Sequence, residues 1–217
     1  GISAAGQFGI GRLVGAGYCR RLVFETSVKG EKIKTRLELD VDFVENVLRD
    51  SSDDSSANEL MDAATQLKRS AEKEEAHYFK VFLEDIKPDY DQLLDEELVT
   101  DYLKEVAPID FSLPFKSRYY NAIEEEYKPY SNGLSYVNIS VNQQNDIRKR
   151  YGLKIEGTED TIEELECFII KDDKYGELAW GWFALTKFSK AIPASDANRG
   201  LRLRKHNIQI GDQTVLN

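Results

Sequence analysis

The 217-residue sequence has no long apolar run and only two cysteines. No stretch approaches the roughly 18 apolar residues of a membrane-spanning helix. The first residues lack the charged start and apolar core of a signal peptide. Cys19 and Cys167 lie far apart and match no metal-ligand spacing, and nothing in the sequence points to a disulfide between them. We therefore expect a cytoplasmic protein in a reducing compartment.

Acidic residues outnumber basic ones, 39 to 29. The formal net charge is -10 and the sequence pI is about 4.9. Because general binding to DNA or to anionic lipid requires a basic surface, neither nucleic acid nor membrane is an expected partner. His77 and His206 are far apart in the sequence, and His77 is predicted to lie in a sheet rather than to bind a metal.

The first half of the chain predicts strands with helices between them. Alternation over 20–28 and 32–41 predicts a β-hairpin. Asp42 is predicted to cap a short helix, and Ser56 with Glu59 forms a capping-box pattern. The helix after that box is expected to place one apolar stripe on its surface, formed by Leu60, Ala64, Leu67 and Ala71. A strand over 77–86 and a helix from about Asp95 to Val106 follow.

The second half is predicted to form a separate domain. The segment 107–115 contains two prolines and cannot be helical throughout, so we place the domain boundary near it. A helix around 117–128 is expected to stop at Pro129. Strands are expected over 134–141, 164–171 and 178–188, the last two joined by the turn "DDKYGE". The fold class is α+β, with domains at 1–107 and 108–217.

Glycines cluster at the start of the chain, in "GISAAGQFGIGRLVGAG". A phosphate-binding P-loop is excluded, because Arg12 and Leu13 stand where Lys and Ser or Thr are required. The dinucleotide-binding pattern fails as well, because the third glycine, Gly15, comes one position late. One interpretation is a small-residue helix that packs closely on a sheet. The other is a loop whose bare backbone approaches a phosphate.

The stretch "GQFGIGRLVGAGYCRRLVFETS" resembles the glycine motif of the GHKL ATPases. It is most similar to that of the ninety-kilodalton heat-shock chaperones, in which G-Q-F-G-[VI]-G precedes a short helix and then a strand. The resemblance implies that the backbone N–H groups of the hexapeptide form a nucleotide-lid hinge that meets the ATP phosphates. These residues are Gly6, Gln7, Phe8, Gly9, Ile10 and Gly11. A helix that starts near Ile10 would direct its positive dipole end at an anion.

The same resemblance implies the rest of the architecture. Residues 1–107 would be the C-terminal part of a GHKL ATP-binding domain, an incomplete Bergerat-type sheet. Residues 108–217 would be a middle or transducer-like α/β sandwich, since "AWGWFALTKFSKAIPASDANRGLRLRKHNIQIGD" looks like the transducer of distant relatives. The implied function is a stress-response chaperone that works as an ATP-dependent clamp. It would use ATP and Mg²⁺, a client or partner protein, and a homodimeric assembly.

The sequence also departs from that family. The family's Mg²⁺-binding Asn, its Glu base and its adenine-reading D-x-G-x-G run lie upstream of the glycine motif, and the last is absent from this chain. Asp42 and Asn46 reproduce the acid-x-x-x-Asn spacing only downstream of the motif. We therefore expect a piece of a longer ATPase that is inactive alone. Two alternatives stay open: a mismatch-repair or chromatin-type GHKL ATPase that acts on DNA, and a non-catalytic interaction domain.

Four cations stand close together near the C-terminus, in "RGLRLRKHNIQI": Arg199, Arg202, Arg204 and Lys205. Because Ile208 and Ile210 continue at the parity of the two central arginines, a turn or bulge is predicted at 205–207. One interpretation is a solvated basic edge. The resemblance implies a catalytic role instead, in which Arg202 or Arg204 reaches the γ-phosphate of ATP as an arginine finger does.

Overall fold

The computed structural model describes most of the chain in two compact units, residues 1–94 and 95–217. The described residues are 13–50, 54–131, 134, 136–149, 162–186, 200–205 and 207–211. The glycine hexapeptide at 6–11 and His206 lie outside them. The fold class is α+β with antiparallel sheets, as the sequence predicts.

The first unit is built on a four-stranded antiparallel sheet in the order β3-β2-β1-β4. Its strands are β1 (Cys19–Ser27), β2 (Ile33–Asp40), β3 (Thr65–Ala71) and β4 (Tyr78–Ile86). The predicted hairpin between β1 and β2 is confirmed, and its turn uses the φ of +92° at Gly30. The glycine adopts this left-handed conformation without a steric penalty.

Two helices connect the strands, and both differ from the predicted bounds. Helix α1 (Val41–Arg49) is capped by Asp40, whose carboxylate accepts a hydrogen bond from the Phe43 N–H at 2.9 Å, so the cap predicted at Asp42 is wrong. The capping box of α2 (Ala57–Ala64) is confirmed.

The apolar stripe predicted after that capping box does not run along one helix. Helix α2 ends at Ala64, and Leu67 and Ala71 lie in β3. Residues 65–71 pair with β2 along their whole length, with Leu67 opposite Leu37. Strand pairing therefore outweighs the local helical spacing at this point, because it satisfies the main-chain groups of seven residues together.

The two faces of the first sheet are chemically distinct. Leu22, Leu39 and Leu83 are neighbours across three strands and form the core with residues of the helices. The opposite face carries a charged ladder. Arg36 on that face bonds Glu38 and Glu84, each at 2.9 Å. The apolar face is therefore the one on which the helices pack.

The second unit contains helices α3 (Glu96–Val106), α4 (Leu113–Phe115), α5 (Asn121–Glu126) and α6 (Lys128–Ser131), with a π-helical turn at Lys116–Tyr120. Asp95 caps α3, which ends at Val106 as predicted. The helix expected around 117–128 is confirmed but begins earlier, since α4, the π-helical turn and α5 follow one another with helical backbone from Leu113 to Glu126. Pro129 lies in the first turn of α6 rather than stopping a helix, because a proline near a helix start leaves no intrahelical bond unmade.

The larger described sheet of the second unit is the hairpin of β5 (Ile162–Asp172) and β6 (Gly176–Thr186). Its turn is confirmed: Gly176 has a φ of +75°, and the Asp172 carboxylate accepts from the N–H groups of Lys174 and Tyr175. One face packs on a core that contains Phe111, Phe115 and Tyr120. Trp180 and Trp182 belong to that packed face, so both tryptophans are structural.

No strand forms in the described part of the segment 134–141. The chain turns instead at Asn142 and Gln143, both with positive φ, and the Gln144 N–H donates to the Val141 carbonyl at 3.0 Å. Residues 149 and 110–112 then pair in parallel. The last elements, β7 (Arg204–Lys205) and β8 (Ile208–Gln209), are antiparallel. The chain reversal predicted at 205–207 is thus confirmed, with Asn207 at a φ of +68°.

The chain divides into the two compact units between Leu94 and Asp95, whereas the sequence places the boundary at 107–108. The difference has a physical cause within the second unit. Lys149 donates to the carbonyl of Ala107, and Arg204 donates to the carbonyl of Glu105. Ile109 and Phe115 are fully buried. Helix α3 and the proline-containing segment therefore belong to the second unit.

Candidate functional site

Arg202 and Arg204 both reach the C-terminal end of helix α3. The Arg204 guanidinium donates to the main-chain oxygen of Glu105 at 2.6 Å and to that of Asn207 at 3.1 Å. Arg202 has a side chain only 10% exposed, and its Nη2 lies 3.7 Å from the Glu105 carboxylate. The structure therefore brings the two predicted arginines together. A guanidinium is well suited to this place, because the last carbonyls of a helix carry partial negative charge.

Lys149 completes this cluster, and nothing in the sequence marks it. The residue is 2% exposed, and its Nζ donates to Ala107 O at 2.8 Å and to Asn207 Oδ1 at 3.3 Å. Its neighbours in the basic run "RKR" at 148–150 suggest a solvated loop. The pairing of residue 149 with 110–112 and the contact with Asn207 hold the side chain in the interior.

The environment of Lys149 disfavours its positive charge. Burial, followed by the nearby Arg204, lowers the pKa of Lys149 from 10.5 to about 7, with Asp110 acting in the opposite direction. Desolvation penalises the charged form of any buried amine, and two guanidinium groups add repulsion. Lys149 is consequently the cation of this cluster whose charge changes near neutral pH.

The glycine motif is described only from Leu13 onward. A short 3-10 helix, Val14–Gly17, leads directly into β1. Gly15 lies against the core: a Cβ there would be 3.1 Å from Leu22 Cδ1 and 3.7 Å from Leu83 Cδ1. This is the close packing that the small-residue interpretation predicts for Gly15. A short helix followed by a strand is also the order of elements after the glycine hexapeptide in the GHKL motif that the sequence resembles.

Asp42 and Asn46 lie on helix α1 beside a polar hollow of about 300 Å³, which is also lined by Arg20, Glu45, Arg49 and Lys87. Each carboxylate there has a cationic partner. Arg20 bonds Asp42 at 2.9 Å, and Lys87 bonds Glu45 at 2.5 Å. The Lys87 hydrogen bond lowers the pKa of Glu45. Because cations already pair with both carboxylates, the lining of this hollow is a surface ion-pair network.

A larger hollow of about 630 Å³ lies in the second unit. Its walls combine Thr100 and Lys104 of α3 with Ser112 and the loop 143–148. The cations are paired here too, Lys104 with Asp101 at 2.7 Å and Arg148 with Asp146 at 3.8 Å. The hollow is therefore close to neutral and offers amide and hydroxyl groups to solvent.

Metal and thiol chemistry finds no support in the described part of the chain. Its residues contain no group of three or more His, Cys, Asp or Glu side chains that could hold a metal ion. His77 lies just before β4. Cys19 and Cys167 are both free thiols, and burial raises the pKa of each. None of the described helices is long and apolar enough to cross a membrane.

Comparisons with known proteins leave the chain without an established family. No protein-family model, no curated protein and no solved structure matches it. The features of the chain that bear on its function are therefore the glycine motif, the sheet that follows it and the basic cluster at the end of α3.

Proposed function

We propose that this chain is part of a GHKL-type, chaperone-like ATPase and supplies the lid hinge of the nucleotide site and a transducer-like domain. The observation that carries the proposal is the order of elements at the N-terminus. The hexapeptide at 6–11 is followed by the short helix Val14–Gly17 and then by β1. In the proposed protein the backbone N–H groups of Gly6–Gly11 bind the ATP phosphates.

The open edge of the first sheet supports an incomplete Bergerat-type sheet. Among the described residues, β4 is an edge strand of nine residues. On its apolar side Phe79 is 60% exposed and Val81 is 44% exposed, and the Phe79 ring stacks on Phe24 at 6.1 Å between centroids. Long, exposed apolar edges are uncommon in complete domains, because they offer unpaired main-chain groups to other strands. In the proposed protein a further strand of the ATP-binding domain pairs with β4.

The second unit supplies the transducer in this proposal. Its α/β arrangement places Arg204 in β7 and Arg202 two residues before that strand, and both arginines contact the end of α3. During phosphoryl transfer, one of these guanidinium groups would stabilise the negative charge that develops on the γ-phosphate. Mg²⁺ and its ligands, the base and the adenine-binding Asp would come from outside this chain. Client proteins and a homodimer are the implied partners.

The test is ATP binding by the full-length polypeptide that contains this chain, measured by isothermal titration calorimetry with Mg²⁺ present. Gly11→Val should abolish binding, because a branched side chain blocks backbone approach to phosphate. Gly17→Ala is the matched control, since a Cβ there meets nothing within 4 Å. A full-length protein that does not bind ATP overturns the proposal. DNA binding that weakens with salt would favour the DNA-acting alternative.

A further inference from the structure

Three elements of the second unit converge on the Lys149 amine. Helix α3 ends one residue before Ala107, whose carbonyl accepts from Nζ. The turn between β7 and β8 provides Asn207, which is 5% exposed and accepts through Oδ1. The main chain of Lys149 itself is bonded to Asp110 and Ser112, at 2.9 Å in each case. One side chain thus joins the end of a helix to the turn that follows the two arginines.

The hydrogen-bonding geometry suits a neutral amine. A neutral lysine has two N–H donors, and two oxygens lie within bonding distance of Nζ. An ammonium group has three donors. Nζ also lies over the Phe111 ring, 5.7 Å from its centroid, and this contact favours the ammonium form against the effects of burial and the two guanidinium groups. Both acceptors are uncharged, one a main-chain carbonyl and the other an amide oxygen, so neither balances the charge of an ammonium group.

In the described part of the chain, the charged groups near Lys149 lie at the end of α3, in the segment after it and around β7. Arg202 and Arg204 approach from the β7 side and oppose its protonation, whereas Asp110 favours it. Asp110 is itself paired with Lys116 at 2.6 Å, and the Glu105 carboxylate lies near Arg202. Arg204 also acts to lower the pKa of Tyr120, although burial raises that pKa overall. A proton on Lys149 therefore adds a third cation to a cluster whose carboxylates already have cationic partners.

We propose that Lys149 is a positioning residue for Arg202 and Arg204: as a neutral amine it ties the β7–β8 turn to the end of α3, and its protonation loosens that tie. The link runs through Asn207, which accepts from Lys149 by its side chain and from Arg204 by its main-chain oxygen. A looser turn therefore weakens the hydrogen bond that Arg204 donates to the main-chain oxygen of Asn207. The catalytic part of this inference rests on the proposed function, whereas the structural part does not.

The experiment follows the 15N resonance of Lys149 Nζ and the backbone amides of 207–210 by NMR between pH 5.5 and 9, in the 217-residue chain. We expect one shared titration with a midpoint near pH 7. Lys149→Met should remove the titration of the hairpin amides. Lys149→Arg, which keeps the charge at every pH, should hold these amides at their low-pH positions. Lys128→Met is the matched control, because Lys128 is a surface residue paired with Glu125 and should leave the titration unchanged.

An Nζ midpoint above pH 9, or hairpin amides that do not follow Nζ, overturns the inference. The wild-type measurement decides this even where a variant fails to fold. A second arm measures ATP turnover of the full-length protein. We expect ATP turnover to fall as pH decreases and Lys149 becomes protonated, with the same pH midpoint as the Nζ resonance. The Lys149→Met variant should lose this pH dependence. A full-length protein that binds no ATP refutes the proposed function but leaves the NMR result standing. ATP turnover without this midpoint refutes the link from Lys149 to catalysis.

Discussion

Arg204 donates a hydrogen bond to the main-chain oxygen of Glu105 at 2.6 Å, and this contact joins residues 99 positions apart. It places a guanidinium at the C-terminal end of helix α3, where the helix dipole favours positive charge. The same guanidinium bonds Asn207 O and so holds the turn after β7. A residue that the sequence presents as a member of a basic edge is therefore engaged in the packing of its unit.

Replacing Arg202 and Arg204 distinguishes the structural role of these residues from their proposed catalytic role. Arg204→Ala removes two charge-assisted hydrogen bonds and should lower the free energy of unfolding by roughly 1–3 kcal/mol. In the full-length protein, Arg202→Ala or Arg204→Ala should lower ATP turnover about tenfold or more while nucleotide affinity is nearly kept. Steady-state turnover and calorimetric ATP affinity are the measurements. Normal turnover in both variants would reduce the pair to a structural role.

The stability of the second unit should rise with pH between about 7 and 10. The folded chain releases the Lys149 proton near pH 7, whereas the unfolded chain retains it until about pH 10.4. Since the unfolded state binds more protons in this window, unfolding is disfavoured as pH increases, by about 2 kcal/mol from pH 7 to 9. Urea unfolding at several pH values measures the slope. Lys149→Met should flatten it, and an equal slope in that variant would contradict the assignment.

Helix α1 should depend on Asp40 rather than on Asp42. Asp40→Ala removes the N-cap and should cost about 1 kcal/mol of stability. Asp40→Asn should be nearly neutral, because an amide oxygen still accepts the Phe43 N–H bond. Asp42→Ala breaks a largely exposed ion pair with Arg20 and should cost less than about 0.5 kcal/mol. Chemical denaturation of the three variants gives the ranking, and a larger loss for Asp42→Ala would reverse our assignment of the cap.

Limited proteolysis should cut near Leu93 and Leu94 rather than within 107–116. Leu94 is 73% exposed and ends the first compact unit. In contrast, Ile109 and Phe115 are fully buried, and the main chain between them is bonded to Lys149. A protease needs locally unfolded backbone, so buried, hydrogen-bonded segments are protected. Chymotrypsin digestion followed by mass spectrometry identifies the site, and a first cut inside 107–116 would favour the boundary predicted from the sequence.

The isolated 217-residue chain should show no Mg²⁺-dependent ATP turnover. The Asn, Glu and Asp that the GHKL family uses for Mg²⁺, the base and adenine have no counterparts at matching positions in it. Asp42 and Asn46 have only the spacing of the family's acid and Asn, and the Asp42 carboxylate is paired with Arg20. A phosphate-release assay on the purified chain is sufficient. Turnover that requires Mg²⁺ and disappears in Asp42→Ala would show that α1 carries the catalytic carboxylate after all.

Local chemistry in the sequence was enough to predict several elements. Alternating residues predicted β1, β2 and β4, because the two-residue period of a strand is visible without any partner. Gly30 and Gly176 marked turns because positive φ excludes most other residues. The capping box of Ser56 and Glu59 was likewise readable, since both partners lie within one turn of each other.

Tertiary pairing decided what the sequence left ambiguous. Residues 65–71 have the spacing of a helix but form β3, because β2 offers a strand edge beside them. The cap moved from Asp42 to Asp40 because β2 continues to Asp40 and so fixes where α1 begins. Such outcomes depend on which segments lie next to each other, and a local pattern holds no information about that.

The sequence by itself determined the α+β class, the strands β1, β2, β4, β5 and β6 with their hairpin turns, and the grouping of Arg202 with Arg204. Only the tertiary structure revealed Lys149, because its burial is imposed by pairing with 110–112 and by the turn at Asn207. The local sequence of a lysine in a basic run does not indicate that it is desolvated, because the segments that bury it are distant in the sequence. The pKa of about 7 is therefore a property of the packed unit, since burial and two arginines act on the amine only when all are brought together.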